Sequence, residues 1–234
     1  MKTRIVFKQG EVLTVIGLSK TTNSKISNGE SVVQTWHYSR GQFESAQRKT
    51  TQKEFFSHDE PVCMDCPMSS RAKGGCYTHN FRQYSGFLSQ LRSIGKTYKT
   101  FDDIPDLEWR MWSDIIDMCN GRFVRFGSYG EPSLLNYALV KLICSRAKSW
   151  TGYTHQFRKK PEYLNYFMAS VHSTDELSPN YRSFLVGGSD TPKTSDIVSC
   201  PASKEMGYKL SCNKCGLCSG ILGKGQKSIL IFEH

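Results

Sequence analysis

The residues best suited to chemistry are cysteines, and late in the chain they stand at cluster spacing. Cys212, Cys215 and Cys218 follow one another at intervals of three in SCNKCGLCSG, and Cys200, in the pair Cys200-Pro201, lies twelve residues before the first. A 4Fe-4S cubane needs thiolates converging on its corners, and C-x2-C-x2-C lets one tight turn supply three while a remote Cys-Pro supplies the last. Zinc also takes a tetrahedron of thiolates, but its ribbons bring paired C-x2-C knuckles, so iron-sulfur is the first reading and zinc the alternative. Gly216 and Gly220 suit a backbone wrapped closely round such a group, because glycine accepts positive φ and leaves room.

A second group, CMDCPMSSRAKGGC, holds Cys63, Cys66 and Cys76 with no local fourth thiol. Candidates for the missing ligand are His58, His79, Cys119 and Cys144, though the last two sit in apolar helical runs and read as core thiols. Bound by three cysteines alone, a 4Fe-4S cluster would keep one iron open to substrate, cofactor or water. Radical S-adenosylmethionine enzymes use that arrangement, but their C-x3-C-x2-C motif is absent here. A structural zinc completed by a histidine is an equally simple alternative. One or two clusters are therefore expected, at segments 60–80 and 199–220.

The acid–base candidates are Glu131, His155 and His172, which leave three successive strand-like stretches. In parallel α/β folds the working residues stand where strands end, and Glu and His can hold or exchange a proton near neutral pH when their surroundings tune them. Ser128, Tyr129, Gln156 and Ser173 share those edges. The plainer role for any one of them is to cap the helix that follows. No G-x-S-x-G elbow, G-x-x-x-x-G-K-[ST] loop or H-E-x-x-H pair is present, so hydrolytic chemistry gains no support. The run GILGKGQKS lacks the Ser or Thr of a phosphate loop and reads as a flexible turn.

The elements that would position these groups follow from hydrophobic period and punctuation. Residues 12–18 and SVVQTWHY predict an N-terminal β-hairpin across a polar loop holding Asn28 and Gly29. Residues 41–56 predict an exposed helix. Phe81, Tyr84, Phe87, Leu88 and Leu91 recur at helical intervals, and DLEWRMWSDIIDMC predicts another helix ended by Gly121. Then comes alternation: FVRFGSYG strand, SLLNYALVKLICSRAK helix, WTGYTHQF strand, PEYLNYF helix, MASVHS strand, TDELSPNYR short helix, SFLVGG strand, and a last strand in SILIFEH. Strands alternating with helices imply parallel pairing. The expected fold is α/β, a partial or distorted parallel β/α barrel or an open parallel sheet, with the N-terminal hairpin and cysteine-rich metal-binding loops, all in one domain over residues 1–234.

The chain has 234 residues, nine cysteines and a formal net charge of +10. It holds no apolar run of membrane-spanning length, and its first residues do not read as a secretory signal. A reducing cytoplasm is therefore expected, where clustered thiols bind metal more readily than they pair. The basic balance favours polyanions, and RKTTQKEFF, THNFRQY and WTGYTHQFRKK mix rings with cations in a way that suits stacked bases and phosphates. DNA or RNA, or a host protein of nucleic-acid metabolism, is the expected partner.

Several motifs in order, GLSKTTNSKISNGESVVQTWHY, VCMDCPMSSRAKGGCY, VRFGSYGEP, WTGYTHQF, MASVHS and CPASKE followed by CNKCGLCSG, resemble a widespread group of small cysteine-rich proteins encoded by bacteriophages. The resemblance covers nearly the whole chain. It implies an iron-sulfur protein acting in the cytoplasm of an infected bacterium and assigns no reaction. The group is similar in architecture to a shortened radical S-adenosylmethionine barrel. Two functions stand side by side: a metal-organised protein engaging nucleic acid or its machinery, and a radical-type redox enzyme at the carboxyl edge of the strands.

Overall fold

A computed structural model describes residues 3–20, 25–27, 29–72, 75–188, 191, 195–207, 210–221 and 227–232. Residues 21–24 and 28 of the polar loop, residues 222–226 within GILGKGQKS, and the last two residues of SILIFEH lie outside the described residues.

The chain opens with β1 (Arg4–Gln9), β2 (Val12–Lys20) and β3 (Ser31–Ser39), paired antiparallel in that order. The expected hairpin is therefore the pair β2 and β3. β1 adds to it through a turn at Gly10, where φ is +57°. In β1, Ile5 and Phe7 point inward between Arg4, Val6 and Lys8, the two-residue alternation of a half-buried strand.

Residues 41–56 do not form one exposed helix. They give α1 (Arg40–Ala46) and α2 (Gln52–Ser57), started by side-chain caps from Ser39 and Thr51. Phe43, Ala46, Phe55 and Phe56 are buried, so these helices pack on the core; the polar residues between the rings hide a narrow apolar stripe. One turn of helix, α3 (Glu60–Cys63), delivers the first cysteine. Asn80 caps α4 (Phe81–Gly95), which buries Tyr84, Phe87, Leu88, Leu91 and Ile94, and α5 (Trp109–Cys119) follows.

Next come β4 (Phe123–Tyr129) and α6 (Tyr137–Arg146). The stretch WTGYTHQF is not one strand. It breaks at Gly152 into β5 (Ser149–Thr151), which pairs with β4, and β6 (Tyr153–Thr154), which pairs with β7 (Met168–Val171). A Cβ at Gly152 would stand 2.4 Å from the buried Phe167 ring, so this junction needs glycine. PEYLNYF and TDELSPNYR form no α-helix; each yields a short 3-10 turn, Pro161–Asn165 and Thr174–Glu176, as suits pieces too short to repay helix nucleation. The chain closes with β8 (Ser183–Gly187), β9 (Ile197–Ser199), the single turn α7 (Cys212–Cys215) and β10 (Ser228–Phe232).

The strands make two five-stranded sheets, and the fold is mixed α/β as expected. The first runs β1-β2-β3-β4-β5, antiparallel to β3 and parallel beyond it; the second, β6-β7-β8-β10-β9, is parallel throughout. β10 thus inserts between β8 and β9, an order not anticipated from sequence. Helices cover both faces of the first sheet. Ile16, Val33, Val124 and Phe126 pack with Ile115 and Met118 of α5 and Leu139 and Ile143 of α6. Leu13, Val15, Tyr38 and Tyr129 pack with α1, α2 and α4. One face of the second sheet is covered by Phe157 and Leu177; against the other, Met168 and Ile229 pack with Cys200 and Cys218.

Candidate functional site

The site grows from the ends of β4, β6 and β7. Gly130 turns the chain after β4 with φ +78°, and a Cβ there would lie 2.8 Å from Cβ of His37. The turn lets the Glu131 amide donate to the Val62 carbonyl at 2.7 Å, one residue before Cys63. The Glu131 carboxylate accepts from the Ser133 amide at 3.1 Å and from the His155 amide at 3.0 Å. Glu131 thus caps the turn after it, the plainer role, and also ties the end of β4 to the end of β6. It is 4 % exposed, and burial raises its pKa against the hydrogen bonds from Thr154, His155 and Ser133.

The three acid–base candidates are brought together. His155 Nε2 lies 3.2 Å from His172 Nε2, with the rings nearly parallel, and its Nδ1 is 3.9 Å from Glu131 Oε2. Burial, and then the His172 charge, push the His155 pKa down to about 4, so the ring is neutral at pH 7. His172 is held by its amide, which donates to Glu176 Oε2 at 2.9 Å.

The first cysteine group meets this cluster: Cys66 Sγ lies 3.6 Å from His155 Nε2. Met64, between Cys63 and Cys66, has φ 52° and is the only non-glycine residue with positive φ among the described residues. Such strain persists only where neighbours impose it and gathers at functional turns. Next to it the Asp65 carboxylate accepts from Lys159 Nζ at 2.7 Å and from the Gln156 side chain, linking the loop to the segment after β6. Burial, then Asp59, Cys66 and Cys76, raise the Cys63 pKa; burial above all pushes Cys66 up to about 12, with Cys76 and Glu131 adding to it. The thiols are thus near enough to oppose one another's ionisation, which a bound cation would reverse. Cys76 Sγ contacts Thr78 Oγ1 at 3.0 Å.

The sequence-based candidates for a fourth ligand have other neighbours. The His79 ring lies tilted against Phe56 with centroids 4.1 Å apart, its buried Nε2 is 3.5 Å from Asp59 and has no hydrogen-bond partner among the described residues, and the His58 ring lies where a Cβ on Gly41 would fall. Cys119 of α5 and Cys144 of α6 are buried in the core, as expected of structural thiols.

The second group is built differently. α7 carries Cys212 and Cys215, Gly216 leaves it with φ +63°, and amides of Cys212 and Asn213 donate to the carbonyls of Lys25 and Ile26. The Gly152 amide donates to the Cys218 carbonyl at 3.2 Å. Gly220 passes so close to the carbonyls of Leu164 and Phe167 that a Cβ would lie 2.4 Å from each. Burial pushes the Cys218 pKa up to about 12 against a hydrogen bond from Tyr153, with Cys200, Cys212 and Cys215 raising it further. Arg182, 2 % exposed, donates to the carbonyls of Ser219 and Lys227 and fastens this segment to the start of β10.

In chemistry both donor sets fit an iron-sulfur cluster or zinc. Among the described residues no three His, Cys, Asp or Glu side chains already surround a single ion position, so metal binding would draw the thiols in from these places. Asp65, Tyr153 and Arg182 leave no local signal in the sequence because their partners lie far along the chain. Of the rings in the basic–aromatic runs, Phe55, Phe56, Tyr84 and Phe157 are buried and Phe81 is 74 % exposed. No helix among the described residues is long and apolar enough to cross a membrane. No family model, curated protein or solved structure matches the chain.

Proposed function

We propose that the chain is a metal-dependent redox enzyme of the radical S-adenosylmethionine kind, with its working centre on Cys63, Cys66 and Cys76 at the carboxyl edge of the strands. The observation that carries the reading is the convergence of Cys66, His155, His172 and Glu131 from the turn after α3 and the ends of β4, β6 and β7. Cys63, Cys66 and Cys76 would hold a 4Fe-4S centre, which would supply one electron to a bound substrate or cofactor; zinc, the alternative occupant, has no redox chemistry and would make the site structural. Glu131 fixes the backbone of His155, and His155 and His172 hold substrate or pass a proton at Nε2. Cys200, Cys212, Cys215 and Cys218 hold a second centre, closed by its own thiolates and suited to structure or electron transfer. The helices on both faces of the first sheet support the open-sheet form of the fold over the partial barrel. The resemblance to phage proteins and the many thiols support a role in the cytoplasm of an infected bacterium.

The test is anaerobic: reduced protein with its iron loaded should bind S-adenosylmethionine and cleave it, with cleavage lost in Glu131→Gln or His172→Ala. A fully loaded protein that fails to bind the cofactor refutes the reading. The net charge of +10 favours a second function, engagement of DNA or RNA or of a host protein that handles them. Binding to single-stranded or duplex DNA that weakens steeply between low and physiological salt would support it; no binding at low salt would end it.

A further inference from the structure

We propose that His155 is the fourth protein ligand of the Cys63, Cys66 and Cys76 centre in its resting state. The inference rests on the metal reading above and goes further, naming the missing ligand as a residue that no local spacing indicates. Cys66 Sγ and His155 Nε2 are 3.6 Å apart although 89 positions separate them in the chain. Of the other candidates, Cys119 and Cys144 lie in the core, the His58 ring packs against Gly41, and His79 lies beside Phe56 and Asp59 with its buried Nε2 lacking a hydrogen-bond partner among the described residues; the contact with Cys66 is what favours His155.

The surroundings of the ring match what metal-bound histidine needs. Such a histidine usually turns its second nitrogen toward a carboxylate or carbonyl, which fixes the tautomer and leaves the ligating lone pair free. His155 Nδ1 faces the buried Glu131 carboxylate at 3.9 Å, and the same carboxylate holds the His155 amide. That directs Nε2 toward the thiol. Asp65 fixes the cysteine loop to Gln156 and Lys159, so Cys66 and His155 are held on one tethered unit. His172 Nε2, 3.2 Å from His155 Nε2, stands where it can bond to Nε2 of a displaced ring. A neutral imidazole is a ligand that a chelating substrate or cofactor can replace, so this arrangement closes the centre at rest and opens it on binding.

The test reads the metal shell directly. Full-length protein, reconstituted anaerobically with iron and sulfide, is measured by X-ray absorption at the iron edge together with iron counts per chain. The expected result is an imidazole scattering signature that disappears in His155→Ala and persists in His58→Ala, His79→Ala and His172→Ala. His155→Cys should keep the iron count with an all-sulfur shell, which guards against a fold lost in the alanine variant. A merely structural histidine pair would leave the shell unchanged in His155→Ala, and that result overturns the inference. So does a loaded wild type with no imidazole whose iron falls in Cys66→Ser, which leaves the metal reading standing. An iron count and spectrum unchanged in Cys66→Ser would remove both.

Discussion

Gly130 is the residue on which the position of Glu131 turns, and its replacement by alanine has a cost that can be worked from the structure. Its φ of +78° is left-handed, which costs an L-residue about 1–2 kcal/mol. The new Cβ would lie 2.8 Å from His37 Cβ, 3.1 Å from the His37 carbonyl oxygen and 3.4 Å from Val62 Cβ, and overpacking of that kind costs roughly 1–3 kcal/mol. Alanine returns about 0.5 kcal/mol by restricting the unfolded chain. Gly130→Ala should therefore destabilise by about 2–4 kcal/mol, a fall of about 1 M in the urea midpoint for a slope near 3 kcal/mol per M. Two other glycines separate the contributions. Gly121 has φ +66° with open space around a Cβ, so Gly121→Ala reports the backbone cost alone. Gly152 is outside the left-handed region but faces Phe167 at 2.4 Å, so Gly152→Ala reports packing alone. The assay is urea unfolding of the metal-free chain followed by far-ultraviolet circular dichroism. If Gly130→Ala costs no more than Gly121→Ala, the close approach of β3 and the Gly130 turn is refuted, and with it the placement of Glu131.

Further outcomes follow from the same contacts. His37 is fully buried, its Nδ1 is 3.0 Å from Thr14 Oγ1, its Nε2 has no hydrogen-bond partner among the described residues, and burial pushes its pKa down to about 3. Between that value and the unfolded value of about 6.5 the unfolded chain binds the proton and the folded chain does not. Stability should therefore be complete above about pH 6.5 and fall with acid by up to about 5 kcal/mol from this group, and His37→Gln should flatten urea midpoints measured from pH 7 to 4. Arg182→Ala leaves the Ser219 and Lys227 carbonyls without their buried cation and should cost about 2–4 kcal/mol, with Cys218 alkylated faster in mass-spectrometric labelling; unchanged labelling would contradict the fastening role. Cys119→Ala and Cys144→Ala should lower stability by about 1 kcal/mol each and leave the metal count unchanged.

What could be read from sequence was what local pattern records. The periodic rings of α4, the glycine that follows α5, and the core thiols Cys119 and Cys144 stand as expected, whereas α5 begins at Trp109, later than the acid-led run DLEWRMWSDIIDMC predicts and with no acid in its first turn. So does the meeting of Glu131, His155 and His172, though β4 belongs to the first sheet and β6 and β7 to the second, and the bond from the His155 amide to Glu131 joins their ends. Contacts set by tertiary packing left no local trace. WTGYTHQF reads as a continuous strand until Phe167 presses on Gly152 and divides it between two sheets. β9 has three residues, too few for a period, and the insertion of β10 beside it depends on a crossover that no composition encodes. The rings of Phe55 and Phe56 lie among charges in sequence yet face the core, because α2 packs one narrow stripe inward. In sequence His155 reads as an acid–base group; its approach to Cys66, 89 positions away, is set by tertiary packing.

The central claim is that the two cysteine groups are metal centres and that the one beside His155 and His172 does the work. Anaerobic purification of the full chain with iron, acid-labile sulfide and zinc counted per chain, and a visible spectrum recorded for the wild type and for Cys63→Ser, Cys66→Ser and Cys76→Ser, tests it most directly. The account predicts bound metal with thiolate charge-transfer absorption, partly lost in each of the three variants while the centre on Cys200, Cys212, Cys215 and Cys218 remains. A wild-type chain that carries neither iron nor zinc after anaerobic reconstitution, or one whose metal is untouched by all three substitutions, would contradict it.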